Sequence, residues 1–220
     1  MVTFEDVKNN KEINTCIKRG NDMLGVIGYT EHSFVHAMKV SATAARLLEE
    51  IGGYTEREIE LARIAGYIHD IGNMVNRDDH AQTGALLAYN ILMRMGMDVE
   101  EVTMIAGAVG NHDEGTGNAV SPISAALILA DKSDVRRSRV RRTENLNFDI
   151  HDRVNFAVQS SEVVVKNDEN RIYLEMMIDT DISSVVDYFE IFLTRMIMCK
   201  KSAEFLGRKL RIMVNGSKLL

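Results

Sequence analysis

The chain has 220 residues, 45% hydrophobic and 26% charged, with a net charge of −6; this suits a globular protein with a real core and argues against general nucleic-acid binding. Its two cysteines, Cys16 and Cys199, lie far apart, which excludes a disulfide framework and fits a reducing cytoplasm, the expected location. No apolar run reaches the length of a membrane span and the N-terminus lacks a basic-then-apolar leader, so no membrane association is expected.

Phe4, Val7, Ile13 and Ile17 share a loose helical face and predict a first helix from Thr3 to Arg19. Gly20, Gly25 and Gly28 should break the chain, and Thr30 should cap a second helix over Glu31 to Glu50. Its apolar residues (Phe34, Val35, Met38, Ala42, Ala45, Leu48) recur at three and four positions. After Gly52-Gly53, Thr55 and Glu58 are spaced as a capping box. The third helix they open ends at His69-Asp70, with Gly72 as its stop. A fourth helix is expected over Asp79 to Met95 and a fifth over Val99 to Val109. A glycine-rich polar loop follows from Gly110 to Asn118. Ser121-Pro122 opens a sixth helix, with proline at its first position, and its apolar run Ile123 to Ala130 leads straight into Asp131.

From Arg136 the composition shifts to an arginine cluster: Arg136, Arg137, Arg139, Arg141 and Arg142. A short helix is expected over His151 to Gln159. The period then becomes alternating, and Glu162 to Lys166 and Arg171 to Met176 read as two strands around the turn Asn167 to Asn170. Ser183 should cap a long helix to Leu206. Leu210 to Val214 is a last strand, ended by Asn215-Gly216. The reading is therefore mainly α: a helical domain over residues 1–150, then a small α+β unit (β-β-α-β) over 151–220.

The chemistry gathers in the first domain. Five of the six histidines, His32, His36, His69, His80 and His112, fall at or before residue 112. A neutral imidazole beside an ionised carboxylate, as in His69-Asp70, offers a divalent metal two ligands on neighbouring residues. Asp131 directly follows an apolar face, where a carboxylate is costly unless paired, hydrogen-bonded or metal-bound.

The segments His36-Ala37-Met38-Lys39-Val40-Ser41, His69-Asp70-Ile71-Gly72 and Leu129-Ala130-Asp131-Lys132 follow one another in the order H…HD…D. In that order they resemble the HD superfamily of metal-dependent phosphohydrolases, over roughly Tyr29 to Arg137. The resemblance implies an HD helical bundle. It also implies a metal ion on His36, His69, Asp70 and Asp131. His80 and His112 stand where dinuclear members, such as HD-GYP phosphodiesterases and HD-type diadenosine tetraphosphate hydrolases, carry extra histidines. Asp70 would then bridge two ions. Three features depart from HD-GYP proteins: Asn111-His112 in place of paired histidines, Gly117-Asn118-Ala119 in place of Gly-Tyr-Pro, and Asn73 in place of lysine.

The expected activity is hydrolysis of a phosphoester or phosphoanhydride in a nucleotide or dinucleotide. A metal pair can generate a nucleophile at neutral pH and clamp a phosphoryl group. Ligands without thiolate suit Fe, Mn, Ni or Co, divalent or ferric, with Mg a further candidate. His32, four residues before His36, could polarise substrate or protonate a leaving group; an ordinary half-buried histidine is the alternative. Lys132 and Arg136 are expected phosphate contacts, and Asp134 could orient Lys132 or act as general acid. The remaining arginines read as a solvated face. The C-terminal unit could dimerise, cover the site or bind an effector; a homodimer through it is the expected assembly. Two other functions fit the same residues: a di-iron oxygenase on this scaffold, and a nucleotide sensor signalling through the C-terminal unit.

Overall fold

The computed structural model describes residues 1–141 and 149–219; Arg142 of the arginine cluster lies outside them. Two helices replace the expected first one, α1 (Phe4–Lys8) and α2 (Lys11–Val26). The cause is Asn10, whose side chain accepts hydrogen bonds from the Glu12 and Ile13 amides and starts a new helix. Gly20 and Gly25 lie inside α2 rather than breaking it. The next helix, α3 (Phe34–Ile51), is capped by Ser33 and not Thr30. The Thr55–Glu58 capping box does open α4 (Glu56–Ile68). A 3₁₀ turn over Ile71–Met74 follows, then α5 (His80–Arg94), α6 (Val99–Gly110) and α7 (Pro122–Ser133).

Helix α7 is the axis of the molecule. Every residue from Ile123 to Ala130 is buried, because α7 packs against α3, α4, α6 and two C-terminal elements, α9 (Val185–Phe205) and β1 (Val158–Lys166). An apolar run broken only by Ser124, whose hydroxyl donates to the Asn118 carbonyl at 3.3 Å, is what a helix enclosed on all sides requires. Each fully buried Leu or Ile there contributes about 1.5–3 kcal/mol. One continuous cluster of buried side chains runs from Val2 through α7 to Val214, so the C-terminal unit shares the core of the helical bundle.

That unit consists of α8 (Ile150–Ala157), β1 (Val158–Lys166), β2 (Arg171–Ile178), α9 (Val185–Phe205), β3 (Lys209–Val214) and β4 (Ser217–Lys218). The sheet order is β1-β2-β3-β4, with β1/β2 and β3/β4 antiparallel and β2/β3 parallel around the α9 crossover. Two expectations need correction. Asn215-Gly216 does not end the chain's last strand but turns it: both residues have positive φ, the two-residue hairpin that Asn-Gly favours. Helix α9 is capped by Ser184, in a box with Asp187, one residue later than expected. Among the described residues no helix is long and apolar enough to cross a membrane.

Two glycines set the spacing of the bundle at its functional end. A Cβ at Gly66 would stand 2.7 Å from Ser41 Cα, so α3 and α4 approach backbone to backbone. A Cβ at Gly72 would meet the His80 carbonyl oxygen and stand 2.6 Å from Gly84 N, so the 3₁₀ turn is pressed onto the start of α5. Gly72→Ala should therefore cost about 2–3 kcal/mol or more, since rigid backbone must yield. Urea denaturation checks this, and an unchanged midpoint would show that the turn and α5 can part freely.

Candidate metal centre

Helix ends converge here. His36 lies in the first turn of α3. His69 is the C-cap of α4, and Asp70 follows in the sparsely populated bridge region (φ −98°, ψ 6°). His80 opens α5 after Asp79, whose positive φ turns the chain. His112 follows α6, and Asp131 lies in the last turn of α7. All four helix-borne histidines are buried.

Their Nε2 atoms meet at Asp70. Its Oδ2 is 3.2 Å from His69 Nε2 and 3.6 Å from His36 Nε2. Its Oδ1 is 3.5 Å from His80 Nε2 and 3.7 Å from His112 Nε2. Asp131 Oδ1 lies on the first side, 3.3 Å from His36 Nε2 and 3.6 Å from His69 Nε2. His36, His69 and Asp70 form one group able to hold a metal, Asp70, His80 and His112 a second, and His69, His112 and Asp131 a third between them.

Each imidazole is turned the right way by a bond on its other nitrogen. Nδ1 faces the Gly66 carbonyl in His69, the Arg77 carbonyl in His80 and the Val109 carbonyl in His112, at 2.6–3.0 Å. His36 Nδ1 faces Asp134 Oδ2 at 2.8 Å. A carbonyl or carboxylate there holds the proton on Nδ1 and leaves Nε2 as a lone-pair donor.

The charges suit a cation. Burial opposes ionisation of Asp70, but His69 and its neighbours hold it well below the usual carboxylate range. Asp131 is held down likewise, against its burial, by Lys132 and the histidines. Burial pushes His112 down and His80 down to about 4, so both are neutral ligands. His69 resists burial because Asp70 and Asp131 raise it to about 10; a metal ion would take the place of that proton.

A cavity of about 410 Å³ opens over this centre. His32 lines it, its Nδ1 2.8 Å from the Thr30 carbonyl and its Nε2 4.0 Å from Asp70 Oδ2. Burial, then Arg139, keep His32 well below its ordinary value. Lys132 also lines the cavity, with Nζ 2.8 Å from Asp131 Oδ2.

Asp134 and Arg136 sit elsewhere. Asp134 is buried behind His36, ionised despite burial because His36, Arg139 and Lys39 surround it. It orients His36 rather than Lys132, and it has neither the position nor the proton for a general acid. Arg136 turns from the cavity to donate through Nε to Asp134 Oδ1 at 2.9 Å, with Glu31 beyond at 3.5 Å. Arg139, expected in a solvated face, is instead 5% exposed and lines the cavity, bonded to the Glu31 and Asp134 carbonyls.

Sequence reasoning missed Arg77 and Arg195 among the cavity's cations, as well as the acceptors Asp149 and Asp152 beside α8. Arg77 carried a usable signal, since it lies between Asp70 and His80. Arg195 carried none.

The HD domain family model matches residues 33–138. The uncharacterized protein MJ1020 of Methanocaldococcus jannaschii is 28% identical over 202 residues, spanning 81% of this chain and 76% of its own length. Ribonuclease Y of Enterococcus faecalis is 27% identical over 175 residues, 67% of this chain but 31% of that protein. The crystal structure of a predicted HD superfamily hydrolase from an uncultured Thermotogales bacterium is 24% identical with a TM-score of 0.44, covering 57% of this chain and 68% of its own.

Asp134→Ala should weaken binding of manganese roughly ten- to a hundredfold by releasing the His36 ring. Equilibrium dialysis of the full chain reads this directly, and unchanged affinity would mean that His36 needs no such support.

Proposed function

We propose that the chain, whose residues 33–138 match the HD domain family model, is a metal-dependent phosphohydrolase of the HD superfamily that cleaves a phosphoester or phosphoanhydride bond in a nucleotide. The observation that carries the reading is the division of Asp70, with one oxygen facing His36 and His69 and the other facing His80 and His112. His36, His69, Asp70 and Asp131 would hold one ion; Asp70, His80 and His112 would hold a second. A donor set of imidazoles and carboxylates favours Fe, Mn, Ni or Co, with Mg a further candidate. When bound, such a pair supplies Lewis acidity and lowers the pKa of water.

The protein's own residues do the rest. Lys132, fixed against Asp131, presents its ammonium to a phosphate oxygen. His32 is neutral with Nδ1 engaged, so its Nε2 accepts a proton from the attacking water rather than giving one to a leaving group. Arg77, Arg139 and Arg195 line the same cavity. With Lys132 these cations equal the carboxylates of the lining, Asp70, Asp131, Asp149 and Asp152, so bound metal would leave the cavity positive; that favours a phosphorylated substrate over that of an oxygenase, and the complete donor set favours an enzyme over a sensor.

A cavity of about 410 Å³ is in the range of small-molecule sites. It accepts a nucleotide, or the end of a strand of the kind named by the ribonuclease relative, but the net charge of −6 disfavours the longer polyanion. A homodimer through the C-terminal unit is supported by the outer face of α9, where Val186, Leu193 and Ile197 are exposed.

Asp70→Ala should lose metal and phosphate release together, as metal analysis and a screen of phosphorylated metabolites would record; full turnover without bound metal would overturn the proposal. Oxygen uptake during turnover would instead favour the oxygenase. Lys132→Ala should keep its metal and lose about 1.5–3 kcal/mol of transition-state stabilisation, roughly ten- to over a hundredfold in rate. Arg136→Ala should lose less, because Arg136 reaches the cavity only through Asp134 and Glu31. Equal losses in the two variants would place Arg136 on the substrate.

A further inference from the structure

Helix α9 belongs to the C-terminal unit, yet it sends Arg195 into the cavity over the metal centre. The guanidinium is held in two ways. Its Nε donates to Glu114 Oε1 at 2.8 Å, and its central carbon stands 4.2 Å from the centroid of the Phe192 ring. Its two terminal nitrogens have no hydrogen-bond partner among the described residues. The planar fork is therefore fixed in place with its two-pronged face left for a ligand, the geometry that suits the paired oxygens of a phosphate.

Arg195 also stands in line with the metal centre. Asp131 Oδ2 meets Lys132 Nζ at 2.8 Å, Lys132 Nζ lies 3.8 Å from Glu114 Oε1, and the same Glu114 oxygen holds Arg195. Cations thus continue outward from the metal carboxylate along one wall. A single phosphoryl group over Asp70 and Asp131 would use Lys132 and leave Arg195 facing nothing. The Arg195 side chain is only 21% exposed, and a guanidinium so far withdrawn from water is costly to hold without a full set of partners.

We propose that Arg195 binds a second phosphate, next to the one over the metal centre, and that the substrate class is a phosphoanhydride such as a nucleoside polyphosphate. The inference rests on the phosphohydrolase reading of this site. The water oxygen bonds to the phosphorus facing Asp70, and the bond from that phosphorus to the bridging oxygen breaks. The bridging oxygen leaves with the second phosphate, whose charge Lys132 and Arg195 hold, while one water proton passes to His32 and the other stays with the phosphate formed. Arg195 is then a substrate-binding residue supplied by the C-terminal unit, which serves as a wall of the active site.

The test uses two probes that cannot be hydrolysed, methylphosphonate and methylenediphosphonate, titrated calorimetrically into the manganese-loaded full chain. The unaltered protein should bind the diphosphonate at least roughly tenfold tighter than the monophosphonate. Arg195→Ala should shrink that preference to about threefold or less, with methylphosphonate affinity and manganese content unchanged. Arg195→Lys keeps a charged stem over Phe192 without the fork, and should restore only part of the preference. The proposal falls if the preference is the same in the alanine variant, or if both affinities fall together with the manganese content. A protein that releases phosphate from monoesters but shows no preference for the diphosphonate would overturn this inference alone. Binding of neither probe, with no phosphate release from any nucleotide, would overturn the phosphohydrolase reading along with it.

Discussion

Asp70 is an ionised carboxylate placed among four imidazoles at the meeting point of five helices, and most of the architecture serves to keep it there. A buried charge is tolerated only with partners in place. Here His69 is the preceding residue, and the other partners come from distant segments: His36 from α3, His80 from the start of α5 and His112 from the end of α6. The close approaches at Gly66 and Gly72 are what let those helix ends reach one another. Larger residues at either place would separate the backbones and with them the ligand atoms.

Around Asp70 the charges are layered. The inner layer is anionic, with Asp70 and Asp131, and a cation placed there would satisfy both. Behind His36 lies a third carboxylate, Asp134, itself surrounded by Lys39, Arg136 and Arg139. The layer that faces the cavity carries four cations, Lys132, Arg77, Arg139 and Arg195, with Asp149 and Asp152 beside α8 against them. Such alternation suits a site that must attract a cation first and a polyanion second. It also explains why neighbouring arginines differ in role: Arg136 holds the support for a ligand, while Arg139 both supports it and lines the cavity.

The C-terminal unit is not an appendage in this arrangement. It shares its core with α7, and α8 and α9 close the side of the cavity away from the helical bundle. A unit of four strands and two helices buries little apolar surface alone. Packing on α7 solves that need and, by the same contact, delivers Arg195 to the site.

The features legible along the chain were local or carried by order. Thr55 and Glu58 announce the start of α4, Ser121-Pro122 the start of α7, and the apolar run Ile123 to Ala130, broken only by Ser124, announces a helix enclosed by others. The order of His36, His69-Asp70 and Asp131 was readable as a resemblance, because short segments keep their identity along the chain. Asn10 and Asn215-Gly216 carried equally local signals of a new helix and a hairpin. Other features rest on contacts between residues far apart in the chain: Asp134 behind His36, Arg139 drawn from an arginine cluster into the cavity, and Arg195 reaching Glu114. Only the tertiary structure decided these, because an arginine or aspartate in a polar segment looks the same to its neighbours whether it ends in water or in a buried site. The difference lies in which distant side chain the fold sets opposite it.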